Sequence, residues 1–432
     1  MNEHAFGSER ITGAATWRIV FLVIQAGSSV VLFAVLGQIL HRDAFAATAI
    51  AQGVLVITQT IGDFGLSQAA VSVLPARIAA GRADTAELVA GAARTYLYAA
   101  GLGLGLTLTA ALVVPSAAGG PVAVSAPAAA AVIVVAGADG ILRAQGEFRR
   151  PVLLMAMSEL AGFAGVPVAL LTHSALWTCT AISAAMTIGA IGAAIVLAAM
   201  INARPHASPR PFARASLPLG LTQIFVVLGA RIDTLLAGGI SGLVAAGTFE
   251  GSWRVYQLSQ YAAGALATAT APFIANALGA HRHDRALTIV QRLATRLLLV
   301  GVVAAVLLGV ARVPIAHVLT GSLAAPVQRV VPIFALLCPI AALGLVAFYT
   351  LVAFDGQRRF VLLTSGLGAV VNIALAAALA PSMGARGVVI GCAAGQALTS
   401  LVLLARLLTV LRTLRAMPQE PPSPPEIVNH PR

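Results

Sequence analysis

Four ionisable residues stand inside stretches that are otherwise apolar: Arg231 and Asp233 in one, Glu250 and Arg254 in the next. A charge at the centre of a hydrocarbon layer costs about 2.5–3.5 kcal/mol on insertion scales, so each needs a partner or a wet cavity. Glu250 precedes Arg254 by four positions, the favourable order for a helical ion pair. Two readings stand side by side. The four charges pair among themselves and brace two helices, or the arginines offer forked N–H donors suited to phosphate oxygens while the acids position them. Other polar residues extend the pattern at helical spacing: Arg18, Gln25 and Ser29; Thr48, Gln52, Gln59 and Asp63; Gln223 and Thr234; then Gln257, Tyr261 and Thr268 after Arg254. A second group, Asp63, Asp139 with Arg143, and Glu159, falls near the ends of apolar runs. It reads as a brace or gate; a proton or sodium site is the alternative, and Arg143 weakens it. No zinc, phosphate-loop, nucleophile-elbow or dinucleotide pattern occurs, so no metal, cofactor or catalytic residue is expected. The three cysteines sit in apolar runs, which argues against a disulfide framework or a zinc site.

The elements that must carry these residues are membrane spans. Of 432 residues, 59 % are hydrophobic and 10 % charged, against about 25 % charged in a soluble domain; mean hydropathy is +0.92. A soluble enzyme and a disordered regulator are excluded. A hydrocarbon core takes about 20 apolar residues per helix, and twelve such runs appear: 17–40, 45–72, 89–114, 121–143, 151–172, 176–201, 215–239, 244–276, 287–311, 327–353, 360–380 and 386–409, numbered here as spans 1 to 12. All 27 basic residues are arginine. Twenty-one fall at the two ends or in or beside the even-numbered connections, four in or beside the odd ones, and two, Arg231 and Arg254, deeper within spans. That asymmetry places both termini in the cytoplasm and explains a net charge of +12 without nucleic acid. Trp17, Trp177 and Trp253 stand near span ends, as interfacial anchors should. The expected organisation is a cytoplasmic tail (1–16), a first lobe (17–201), a cytoplasmic linker (202–214), a second lobe (215–411) and a disordered Pro-rich tail (412–432).

The halves echo each other. Pro75, Gly81, Arg82 and Asp84 after span 2 match Pro272, Gly279, Arg282 and Asp284 after span 8, and Gly146, Arg149 and Arg150 match Gly356, Arg358 and Arg359. Six spans per half make the repeats parallel, related by an axis along the membrane normal, and suggest alternating access through the cleft between two bundles. Gly387, Gly391 and Gly395 in span 12, and Gly101 and Gly105 in span 3, read as close-packing faces. Pro167, Pro272, Pro332 and Pro339 should bend their helices.

At this point the chain resembles the polysaccharide flippases of the multidrug/oligosaccharidyl-lipid/polysaccharide (MOP) exporter superfamily, the O-antigen and teichoic-acid type. The similar segments are IGDFGLSQAAVSVLPARIAAGR after span 2, LRAQGEFRR after span 4, LPLGLTQIFVVLGARIDTLLAGGI in span 7, the run from Ala245 to Gly279 in span 8, and VAFDGQRRFVLL onward in spans 10 to 12. The resemblance implies an all-α membrane protein of twelve helices in two pseudo-symmetric six-helix lobes, a MATE-like V whose cavity is lined by spans 1, 2, 7 and 8. It implies a transporter in a bacterial cell membrane, not an enzyme, with a polyprenyl-diphosphate-linked oligosaccharide as substrate. Membrane lipids, a coupling H+ or Na+, a polysaccharide polymerase and glycosyltransferases are the implied partners. Asp63, Arg231 and Asp233 fall on motif positions; Arg18 and Arg254 are inferred from the cavity face. Glu250 departs from the family pattern and puts a purely cationic cavity in doubt. A cation-coupled drug antiporter of the same superfamily is the nearest alternative, though it would want a more aromatic, acidic cavity. A membrane glycan polymerase or ligase would need a large outer loop, and none is present.

Overall fold

The computed structural model describes residues 24, 27–72, 74, 85–147, 149–279, 283–352 and 354–416. These residues are helical almost throughout and contain no strand. Seven helices are long and apolar enough to cross a membrane, eight when the bent pair Ala175–Gly189 and Ile191–Ala203 counts as one span. Span 1 (Gly27–Ile39 among the described residues), span 3 (Thr85–Ala110), span 7 (Arg210–Ser241) and span 8 (Leu243–Gly279) complete the twelve. Large apolar side chains such as Leu171, Val310 and Leu336 are about four-fifths exposed, an arrangement that water penalises and lipid does not.

Several spans are interrupted where the sequence removes a backbone bond. Span 2 runs Arg42–Asp63, turns through Phe64 and Gly65 in the left-handed region (φ 41° and 72°), and resumes as Leu66–Ser72. Pro127 has no N–H to bond Ala123, and span 4 divides there into Ser116–Val124 and Ala126–Ala144. Pro167 has the same effect in span 5, where Gly162–Ala164 tightens to a 3-10 turn. Pro332 and Pro339 lie within one helix, Ala324–Val352. Span 10 is preceded by a short helix, Arg312–Thr320, and a turn at Gly321. Gly321 has φ 48°, and a Cβ there would lie 2.0 Å from the Gly37 carbonyl oxygen, so only glycine lets span 1 and this turn meet.

The apolar packing explains the V. One large buried cluster draws on both halves: Phe33, Phe45, Cys179 and Ile182 from the first, Phe249, Trp253, Phe334 and Val388 from the second. All of these lie toward the odd-numbered, arginine-poor connections. Toward the arginine-rich end the core divides in two. Tyr96, Ile133, Ile141 and Leu197 centre one cluster in the first lobe; Ile274, Leu297, Val346 and Leu403 centre another in the second. The lobes therefore share one core at the arginine-poor end and have separate cores at the other, where span 7 still reaches span 2 through Gly220 and Phe64. Span 7 bridges them, since Phe212 belongs to the first lobe's cluster and Ala237 to the shared one.

Trp253 corrects the expectation of an interfacial anchor. It is buried in the shared core, 5.9 Å from the Phe334 ring and 5.3 Å from Tyr256, while Trp177 is exposed and Trp17 lies outside the described residues. Trp253→Ala is expected to cost about 3–5 kcal/mol, read as a lowered thermal midpoint in detergent. The glycine stripes also differ from each other. A Cβ on Gly391 would lie 2.5 Å from the Ala376 nitrogen, so span 12 packs directly on span 11, whereas Gly101 and Gly105 have nothing within 4 Å. In span 3 the close approach is made by Gly103, against Ile133.

Candidate functional site

The lobes meet around a small cavity of mixed polarity at the apex of the V. Ser28 and Ser29 of span 1, Gln52 of span 2, Glu159 of span 5 and Arg254 of span 8 line it, with Phe33, Leu36 and Phe45 of the shared core beside them. Its volume is about 70 Å³, room for a few waters and far below the about 300–1,000 Å³ that engulf a drug-sized ligand. It is a contact point at the bottom of a cleft.

Arg254 makes a polar bridge between the lobes. Its Nε–H donates to Glu250 Oε1 at 3.0 Å, one turn back on the same helix. An Nη1–H donates to the Ser29 hydroxyl of the other lobe, and the guanidinium lies 5.2 Å from the centre of the Phe33 ring. Glu250 is fully buried and also accepts from the Thr234 hydroxyl at 3.0 Å. The ion pair is thus neutral as a unit, and its fork is fixed in direction by three neighbours. Two of the five guanidinium N–H groups are engaged by Glu250 and Ser29 among the described residues. Gln257 and Tyr261 follow Arg254 at i+3 and i+7, so they continue its face down the cleft; both are half-buried, as are Gln52 and Gln59 on span 2.

Other expected members lie elsewhere. Asp233 is fully buried inside the second lobe, where Asn372 Nδ2 donates to its Oδ2 at 2.9 Å. Thr234 turns toward Glu250 and Asp233 turns away from it because adjacent helical residues point about 100° apart; Asp233 is therefore not a cavity residue. Asn372→Leu removes that donor and is expected to cost about 1–3 kcal/mol, visible as a lowered thermal midpoint. Asp63 accepts from the Ser67 hydroxyl at 2.7 Å and faces the Ser67 N–H at 3.3 Å across the break in span 2. Asp139, buried, pairs with Arg143. These three belong to the arginine-rich end of the first lobe, near buried Tyr96, and Glu159 is not with them but in the central cavity. Arg18 and Gln25 lie outside the described residues, as do the side chains of Gln223 and Arg231. Asn372 escaped the sequence reading; a single amide in the apolar run VVNIALAAALA was its signal.

A family profile described as polysaccharide biosynthesis protein matches residues 13–278, well over half of the chain. The chain belongs to that family. A second profile, MatE, matches residues 218–378, and no curated protein matches in sequence. Among solved structures, an inward-facing multidrug resistance MATE family transporter of the MOP superfamily aligns over 93 % of this chain and 99 % of its own, at 15 % identity and a TM-score of 0.73. The same alignment to an outward-facing MATE transporter covers 94 % and 96 % at 15 % identity and a TM-score of 0.65. A MOP superfamily transporter from Pyrococcus furiosus Vc1 (DSM3638), whose binding pocket is described as reversed in polarity, aligns over 94 % and 96 % at 15 % identity, with a TM-score of 0.68. This member of the polysaccharide biosynthesis protein family therefore has the MATE-like fold of twelve helices in two six-helix lobes, embedded as a multi-pass membrane protein.

Proposed function

We propose that this protein moves a polyprenyl-diphosphate-linked oligosaccharide from the inner to the outer leaflet by alternating access, with the arginine-rich end and both termini in the cytoplasm. The observation that carries the reading is Arg254, an oriented guanidinium beside the core that both lobes share, which divides into two toward the arginine-rich end. A diphosphate entering the cleft meets forked donors held by Glu250, while the polyprenyl tail stays in lipid between the lobes. The family match across the first lobe and into the second supports a glycan substrate. Arg254→Ala is expected to abolish rescue of a glycan-export defect at normal membrane levels of the protein, with Arg254→Lys retaining part of it. Full export by Arg254→Ala would overturn the assignment.

The MatE profile and the acids Glu159 and Glu250 beside the cavity favour a second reading, a cation-coupled drug antiporter. Drug resistance on overexpression, with glycan export unaffected by deletion, would establish it instead.

Alternation has its own test. Cys179, Cys338 and Cys392 are buried, which leaves a quiet background for thiol labelling. Gln52→Cys should react with an impermeant maleimide applied from the arginine-rich side and resist it from the other. Gly37 abuts the backbone of Leu319 and Thr320 within 2.9–3.1 Å of an added Cβ, so Gly37→Val wedges the closed end apart and should reverse that protection.

A further inference from the structure

A larger cavity lies inside the second lobe, on the other side of span 8 from Arg254. It measures about 420 Å³, is lined by spans 8, 10, 11 and 12 with Phe225 of span 7 at its edge, and is open on one side. It occupies the level where the shared core ends, at Trp253 and Tyr256, and the second lobe's own core begins, at Leu403. No charged side chain lines it. Aromatic rings (Phe225, Trp253, Phe348) face neutral hydrogen-bonding groups (Gln260, Ser365, Gln396). The Tyr256 hydroxyl donates to Gln396 Oε1 at 2.9 Å, and Gln260 Nε2 donates to the Ser259 hydroxyl at 3.2 Å. Among the described residues that leaves the Gln396 amide nitrogen and the Gln260 amide oxygen without a protein partner.

Each feature narrows the occupant. A charged ligand would be desolvated with nothing to neutralise it. A hydrocarbon tail would cover two amides and leave them unbonded, at a cost in free energy. A ligand with apolar faces for the rings and hydroxyls for the amides meets both demands, and the volume lies in the range of about 300–1,000 Å³ usual for small-molecule sites. We infer that this cavity is a binding site for an uncharged sugar, separate from the cleft that holds Arg254. That the sugar belongs to the transported glycan rests on the function proposed above; the sugar-binding chemistry does not.

Trp253 is a built-in reporter. The full-length Trp17→Phe/Trp177→Phe protein in detergent is titrated with N-acetylglucosamine, maltose, glucuronic acid and farnesol while Trp253 fluorescence is followed. The neutral sugars should give a saturable change, glucuronic acid at most a much weaker one, and farnesol none that competes with sugar. Gln260→Leu and Gln396→Leu, each confirmed folded by its thermal midpoint, should each weaken sugar binding about tenfold, the loss of one hydrogen bond of about 1.4 kcal/mol, and Arg254→Ala should leave it unchanged. No saturable response to either neutral sugar, or saturation by farnesol that displaces them, overturns the inference. If sugars bind but deleting the protein leaves glycan export unaffected, the flippase reading fails and the cavity stands; if export needs the protein and no sugar perturbs Trp253, the cavity inference fails alone.

Discussion

Glu250→Leu alone is expected to destabilise the protein by about 3–5 kcal/mol, because it strands a buried charge that cannot be shed. Arg254 is 7 % exposed and has Glu250 as its anionic partner at 3.0 Å. Arg254→Met should cost less, since Glu250 keeps the Thr234 hydroxyl as a donor at 3.0 Å. The double variant Glu250→Leu/Arg254→Met removes both charges and fills their space with apolar atoms. Buried pairs replaced in this way are often neutral or stabilising, so its thermal midpoint in detergent should return close to that of the unaltered protein. Export separates the two roles weighed for these residues. A stable double variant that fails to export assigns the guanidinium to substrate; one that exports normally reduces the pair to a brace between helices. The Ser29 contact gives a milder companion: Ser29→Ala removes one donor–acceptor pair between the lobes and leaves the ion pair intact.

The second large effect is steric. Span 12 lies against span 11 through Gly391 and Gly395, where an added Cβ would stand 2.5 Å from the Ala376 nitrogen and 2.5 Å from the Gly368 carbonyl oxygen. Backbone atoms cannot rotate out of the way, so the helices must separate, and every contact along the seam is lost with them. Gly391→Val should cost more than about 3 kcal/mol, the upper end of ordinary overpacking, and is expected to prevent accumulation of folded protein in the membrane. Gly101→Ala and Gly105→Ala are the matched controls. Nothing lies within 4 Å of either position, and each should gain about 0.5–1 kcal/mol from helix propensity. Fluorescence-detected size exclusion after heating reads all three, and equal tolerance of Gly391→Val would refute the direct-packing account.

Both predictions begin from residues that were visible in the sequence, yet only one of their contexts was. The i, i+4 register of Glu250 and Arg254 follows from helical geometry alone, and the structure makes that bond. The glycine stripes of spans 3 and 12 look alike as strings, because a four-residue spacing marks a smooth face without saying what touches it. Trp253 shows the same limit. A tryptophan near the start of an apolar run suits either an interface or a core, and the ring partner that decides, Phe334 of span 10, is remote in sequence.

Apolar run length and arginine periodicity, both local quantities, determined from the sequence alone the count of twelve spans and the side on which charge gathers, and matched motifs showed that the halves repeat. The helical register fixed which polar residues share a face. The tertiary structure alone decided which of those faces meet. It turned Asp233 inward onto Asn372, moved Glu159 beside Arg254, tied Asp63 to its own broken helix and left a hollow next to Gln396. The reason is physical: a periodic pattern specifies the angle of a side chain about its own helix axis, while the neighbour it meets depends on how helices far apart in sequence rotate and close against one another. Those rotations follow from packing terms such as the glycine contacts at Gly37, Gly321 and Gly391, summed over both lobes.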